Sequence, residues 1–153
     1  MFKRIKQGWS QPAGESDDNV VIQVPDDTLG LNFLTDEHAE ADVDIVAVHG
    51  LGGDAYSTWT ASNGKLWLRD FLPDELQNAT SNGPKKARIM TFGYDAGLFT
   101  RATTERSFAF AENLLNELRD ARAGEPARSR PLIFIGHSLG GIVIKKVQNS
   151  SVT

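Results

Sequence analysis

Leu132-Ile133-Phe134-Ile135-Gly136-His137-Ser138-Leu139-Gly140-Gly141 is the stretch that decides the fold. Its first four residues are apolar and read as a short buried strand stopping at a glycine. Ile142 to Val147 then reads as the opening of a helix. Between the two, Gly136 to Gly140 fits G-x-S-x-G, a sharp strand-to-helix turn that lifts a serine hydroxyl clear of a sheet. Gly136 and Gly140 have no Cβ to collide where strand and helix cross closely. The helix that follows aims its N-terminal N–H groups at the same point. Ser138 is therefore the candidate nucleophile, and the N–H of Leu139 the first candidate oxyanion donor. The plainer alternative is a glycine-rich turn without chemistry; the strand before it and the helix after it favour the reactive reading.

A second glycine cluster lies upstream. Val43-Asp44-Ile45-Val46-Ala47-Val48 is nearly continuous in apolar character, as in a parallel strand buried on both faces, and runs into His49-Gly50-Leu51-Gly52-Gly53. Placed beside the strand that ends at Gly136, such a loop supplies a second oxyanion N–H from Leu51, with Gly50 and Gly52 allowing the close turn. The stretch Gly50 to Ala55 also fits the dinucleotide fingerprint G-x-G-x-x-A. That alternative requires a helix opening at the glycines and an acid ending a second strand about twenty residues later. Tyr56 to Gly64 is a poor helix, and Asp70, the acid at that distance, sits in a helical stretch. Neither glycine cluster ends in Gly-Lys-Ser/Thr, so no Walker A loop is present.

Further out, Val20 to Val24 reads as a strand stopped by Pro25, and Leu29 to Leu34 as a second strand of the same meander. Lys65 to Phe71 has helical spacing and stops before Pro73; Ser81 to Pro84 is a turn; Arg88 to Phe92 is a strand ending at Gly93. Thr104 to Ala123 is the clearest helix, with Phe108, Ala111, Leu115 and Leu118 on one face. Thr103 or Thr104 can cap it, and Gly124 and Pro126 terminate it. Strands alternating with helices predict an α/β fold with a mostly parallel sheet and flanking helices.

Composition excludes several classes. The chain has 153 residues, 40% hydrophobic and 24% charged, with mean hydropathy −0.32, as in a globular domain. No apolar run approaches the roughly 18 to 20 residues of a transmembrane helix. There is no cysteine, and the three histidines, His38, His49 and His137, show no metal-ligand spacing, so neither a metal site nor a cofactor is expected. The net charge of −4 conceals an uneven distribution: residues 15–64 hold eleven acids and no Lys or Arg, while residues 65–153 hold thirteen bases against nine acids. An acidic first third opposes nucleic-acid binding. Glu15 to Asp18 and Asp36 to Asp44 read as solvated loops, His38 among them. The basic start lacks the apolar segment of a secretory signal, and composition alone suggests a cytoplasmic protein.

Four blocks, HGLGGDAYSTW, LWLRDFLP, ARIMTFGYDA and FIGHSLGGIVIKK, together resemble the serine esterase domain of the serine-active-site-containing protein family, over about residues 20 to 147. Relatives of that domain include lipase-like and GPI inositol-deacylase-like hydrolases, and similar domains precede NACHT or NB-ARC regions in fungal receptor proteins. The resemblance implies an α/β-hydrolase fold from its third strand through the helix after its fifth. It further implies hydrolysis of acyl esters by Ser138, with Leu51 and Leu139 as donors, and an association with mitochondria, the endoplasmic reticulum or membranes. Residues 1–19 read as a flexible N-terminal segment and 148–153 as a polar tail.

In that fold a serine is followed in the chain by its acid and then by its histidine. Leu139 to Thr153 contain no Asp, Glu or His. The chain therefore reads as the N-terminal part of a domain, weak or inactive alone, whose last strand is an apolar edge needing downstream domains or a partner chain. Upstream substitutes are poor: the His137 side chain should point away from its neighbour, and His49 has a structural part in its loop. Asp54 and Asp95 follow strand ends without taking the acid's position. A non-catalytic interaction module of a receptor-type protein is the alternative.

Overall fold

In the computed structural model, residues 28–37, 40–79, 83–96 and 103–150 are described, 103–105 by backbone alone. The strand expected at Val20 to Val24, His38, and the capping side chains of Thr103 and Thr104 lie outside them. Four strands form one sheet: β1 (Gly30–Phe33), β2 (Val43–Val48), β3 (Ala87–Gly93) and β4 (Leu132–Gly136). Their order is β1-β3-β2-β4, with β2 parallel to β3 and β4, and β1 antiparallel to β3. Helices α1 (Trp67–Asp70) and α2 (Leu72–Gln77) connect β2 to β3; α3 (Thr103–Ala121) leads to β4, and α4 (Leu139–Ser150) follows it. The protein is an α/β fold with a mostly parallel sheet, as the alternation of elements requires.

The sheet buries both faces over β2, whose residues after Val43 are all inaccessible. Val46, Val48, Met90 and Phe92 pack against Ala111, Leu114 and Leu118 of α3 and Val143 and Val147 of α4. On the other face Ile45, Ala47 and Ile89 meet Trp59, Leu66 and Leu68. Helix α1 ends before Pro73, as its spacing predicts, and Pro73 falls in the first turn of a new helix, α2, because the first N–H groups of a helix have no partner to lose. The helical pattern of α4 runs on through the polar Gln148 to Ser150.

Three expectations change. Phe108 does not face the core: it is half-exposed, and the Lys146 ammonium sits over its ring at 3.2 Å from the centroid. The fully buried position on α3 is Leu114. Strand β4 is not the buried strand its composition suggests but the apolar edge expected of the last strand: Ile133 is 49% exposed and the other apolar residues of the strand are only partly covered, since β4 is the sheet's edge among the described residues. Beside it, Leu115, Leu118, Leu132, Phe134 and Val147 line a cavity of about 620 Å³.

The third change is Asp44, which is no solvated loop residue. As the second residue of β2 it is fully buried, and three guanidinium groups surround it. Arg88 from β3 donates twice, at 3.0 and 2.9 Å; Arg130, just before β4, donates at 2.8 Å; and Arg122, just beyond α3, donates to the same carboxylate. Arg88 and Arg122 also cap backbone carbonyls of Ala121 and Arg130. The acidic third of the sequence thus sends one carboxylate into the basic remainder, tying together the N-terminal ends of three parallel strands. Burial alone would raise the pKa of Asp44. The hydrogen bonds and charges of Arg88 and Arg130 outweigh it and hold the carboxyl below its ordinary 3.8.

Its folded pKa being depressed, Asp44 contributes stability that is complete above the ordinary carboxylate range and is lost as pH falls through it and below. Asp44→Ala, which leaves buried guanidinium groups facing one another, is expected to cost about 3–5 kcal/mol in urea unfolding at pH 7. Asp44→Asn should flatten the acid limb of the stability-versus-pH curve; an unchanged limb would assign it to other carboxylates.

Candidate functional site

The C-terminal ends of β2 and β4 carry the two glycine clusters to one place. They do so because β2 and β4 are neighbours in register, Val48 opposite Gly136, so that His49 and His137 leave the sheet side by side. The His137 N–H donates to the Val48 carbonyl at 3.0 Å, extending the pairing by one residue. The chain then turns sharply at Ser138, which has φ 52°, the one positive value at a non-glycine residue among those described. A left-handed conformation costs an L-residue about 1–2 kcal/mol. Gly140 and Gly141 N–H groups, donating to His137 and Ser138 carbonyls at 2.9 and 3.1 Å, start α4 at once.

Gly140 makes the turn possible. A Cβ built on it would lie 2.0 Å from the Val48 carbonyl oxygen, so α4 starts in contact with the backbone of β2. Gly136 faces Gly141 with the same economy of space: a Cβ there would sit 2.9 Å from the Gly141 backbone. Gly50 does this for the upstream loop, where a Cβ would come within 2.8 Å of both the Ser138 Cβ and the His137 carbonyl oxygen. The loop itself is a tight turn closed by Gly53 N–H to Gly50 carbonyl at 3.2 Å, with Gly52 at φ +68° and Leu51 exposed at its tip. No helix opens at these glycines; a 3₁₀ turn at Ser57–Trp59 follows, which removes the dinucleotide alternative.

Ser138 is exposed, and its hydroxyl makes no hydrogen bond among the described residues. The N–H groups of Leu51 and Leu139 likewise have no protein acceptor there. The arrangement brings together a strained serine, the N-terminus of a twelve-residue helix and a glycine loop backed against the serine's Cβ.

The remaining polar groups of this end are engaged elsewhere. His49 is fully buried; its Nδ1 pairs with the Gly50 carbonyl at 2.9 Å and its Nε2 accepts the Tyr94 N–H at 3.1 Å. Burial, the largest influence, lowers its pKa below the ordinary 6.5. His137 is exposed and lies edge-on to Trp59, ring centroids 6.4 Å apart. The Asp54 carboxylate accepts the N–H groups of Tyr56 and Ser57, each at 2.8 Å, and the Ser57 hydroxyl, capping the 3₁₀ turn. Asp95 is exposed beyond β3. Asp70, the acid of the dinucleotide alternative, receives the Leu66 N–H at 2.9 Å and pairs with Arg69 at the surface.

Tyr94 is a residue that sequence reasoning missed. It is 5% exposed, its ring stacks on His49 at 4.3 Å, its hydroxyl donates to the His49 carbonyl at 2.7 Å, and burial pushes its pKa up to about 12. The available signal was an aromatic residue directly after β3, at the same sheet end as both glycine clusters.

The fold and this end of it define an α/β protein with a serine on a strained strand-to-helix turn. Among known proteins the chain is similar to Protein SERAC1 of Bos taurus, at 33% identity over 117 residues, 68% of this chain and 17% of that protein. The corresponding proteins of Mus musculus and Homo sapiens are 34% and 32% identical over the same length and shares. The chain thus spans about a sixth of the length of the curated relatives it matches. These matches agree with the resemblance drawn from the four sequence blocks as far as the serine-active-site-containing family itself. No protein-family model matches the chain, and no solved structure matches it. Among the described residues no helix is long and apolar enough to cross a membrane.

The two adjacent glycines of the turn should respond oppositely to a methyl group. Gly140→Ala forces the Val48 backbone away and is expected to unfold the protein or lower its melting temperature by more than 10 °C. A Cβ on Gly141 meets nothing within 4 Å, so Gly141→Ala should be neutral or stabilising by up to about 1 kcal/mol. Thermal melts of the pair decide it, equal losses counting against the crossing.

Proposed function

We propose that the chain carries the nucleophile and oxyanion elements of a serine ester hydrolase, acting on acyl esters or lipids. The observation that supports this best is the φ of 52° at exposed Ser138, on the turn between β4 and α4. Strain at a solvent-facing residue persists only where surrounding contacts enforce it, and such residues cluster at reactive sites. The Ser138 hydroxyl attacks the acyl carbonyl; the N–H groups of Leu51 and Leu139 receive the developing oxyanion; collapse expels the alcohol and leaves an acyl-serine for water to hydrolyse.

Proton removal from Ser138 needs a base that the described residues do not offer, since the ring nitrogens of His49 are engaged with backbone groups and His137 makes no bond to the hydroxyl. The exposed apolar edge of β4 and the cavity beside it supply the place for more polypeptide. In this proposal a strand of a longer form of the protein, or of a partner chain, adds to β4 and brings the base. The relation to much longer proteins supports that reading. Mitochondrial, endoplasmic-reticulum or membrane association belongs to the same proposal. The Ser138 hydroxyl, which makes no hydrogen bond among the described residues, favours the second reading, an esterase-like interaction module without turnover.

The 153 residues alone are expected to hydrolyse p-nitrophenyl esters near background, and turnover of about 1 per second or more would reveal a base within them. In the longest form that the gene expresses, a fluorophosphonate probe should label the protein, with labelling lost in Ser138→Ala. An intact protein that never labels is an interaction module.

A further inference from the structure

The upstream loop is held from behind by a closed set of contacts. An amide N–H can only donate, so the bond from Tyr94 N–H requires a lone pair on His49 Nε2. The imidazole proton is thereby assigned to Nδ1, where it donates to the Gly50 carbonyl. The Tyr94 hydroxyl returns to the His49 carbonyl, and the two rings stack within 16° of parallel. Tyr94 is anchored in turn on Phe110 of α3, ring centroids 4.6 Å apart. The Gly50 carbonyl that receives the His49 proton also closes the turn by accepting Gly53 N–H, and Gly50 is the residue packed on Ser138. Every bond in this set therefore bears on where Leu51 stands relative to the serine.

We propose that His49 and Tyr94 are a positioning pair that holds the Gly50 to Gly53 turn against Ser138, and that they do so only while His49 is the neutral Nδ1–H tautomer. A proton on Nε2 would face the Tyr94 N–H, donor against donor, at a ring fully shielded from solvent. Protonation must then accompany release of the turn, and the loop opens in acid. The charged and titratable groups around the ring are few. Asp54 on the same loop favours the imidazolium; His137 from the serine turn opposes it. Tyr94 stays neutral over the range concerned, and Asp95 is exposed beyond it. Where burial lowers the pKa, the bonds of the pair are complete above the ordinary histidine value and lost as pH falls through the folded one.

The proposal rests on the hydrolase reading for the meaning of the Leu51 position, but its test does not depend on catalysis. Nitrogen-15 NMR of the 153-residue chain should show His49 with a protonated Nδ1 and an unprotonated Nε2 at pH 7.5. His49 should titrate below 6.5, and the Leu51 and Ser138 amide resonances should move with the same midpoint. Tyr94→Phe keeps the ring stack and removes the hydroxyl bond, so opening becomes easier. If opening is tenfold more frequent, the midpoint rises by one pH unit toward the ordinary value. An Nε2–H tautomer, a midpoint at 6.5 or above in the parent chain, or Leu51 and Ser138 amides that ignore the His49 titration would each overturn the pair. Should Tyr94→Phe not fold, the parent titration and tautomer decide alone. Failure of fluorophosphonate labelling in the longest expressed form would remove the hydrolase reading and leave these measurements intact.

Discussion

The start of α4 lies on the backbone of β2 at a distance only glycine permits, and most of the rest follows from that contact. With a Cβ at Gly140 excluded by the Val48 carbonyl, the helix can begin immediately after β4, without the usual loop. The short connection forces Ser138 into the left-handed region. Two backbone bonds into α4 and one from His137 to β2 hold it there against a cost of about 1–2 kcal/mol. The same crossing brings the HGLGG turn over the serine, since β2 and β4 run parallel and adjacent and end together. One close approach thus sets the strain, the exposure of the hydroxyl and the identity of its neighbours.

At the other end of the sheet the constraint is electrostatic. Asp44 is the one carboxylate taken into β2, and it is tolerated because Arg88 arrives from β3 and Arg122 and Arg130 from the connection between α3 and β4. Its partners lie 44, 78 and 86 residues away in sequence, so the cluster registers β2, β3 and β4 against one another. Register at this end fixes which residues emerge at the opposite end, where the glycine clusters are. Helix α3 spans the distance between the two: Arg122 follows its last turn, and Phe110 near its start supports Tyr94.

Much of this was legible because its signals are local. Strands β2 and β4, the helix of residues 103–121 and the turn at Ser138 each depend on neighbouring residues: β-branched runs, a 3.6-residue period, glycines at fixed offsets. What failed to show depends on distant residues. An aspartate inside an apolar run looks like the end of an acidic loop until three arginines are found around it. Phe108 fits the apolar period of α3, yet it is half-exposed and packs under Lys146. Strand β4 reads as buried from its composition alone and as an apolar edge from its place as the last strand; the second reading holds, since nothing among the described residues pairs with its outer side and Ile133 faces water.

By itself the sequence determined the alternation of elements, hence the parallel sheet, and the presence of a serine on a strand-to-helix turn, because both are written in spacings of fewer than twenty residues. Only the tertiary structure decided that Val48 stands opposite Gly136, that Gly50 and Gly140 are contact points instead of mere turn formers, and that His49 is committed to the Tyr94 and Gly50 backbone. Each of those depends on which atoms approach within about 3 Å, and such distances are set by the strand order and helix crossing that pack the whole chain.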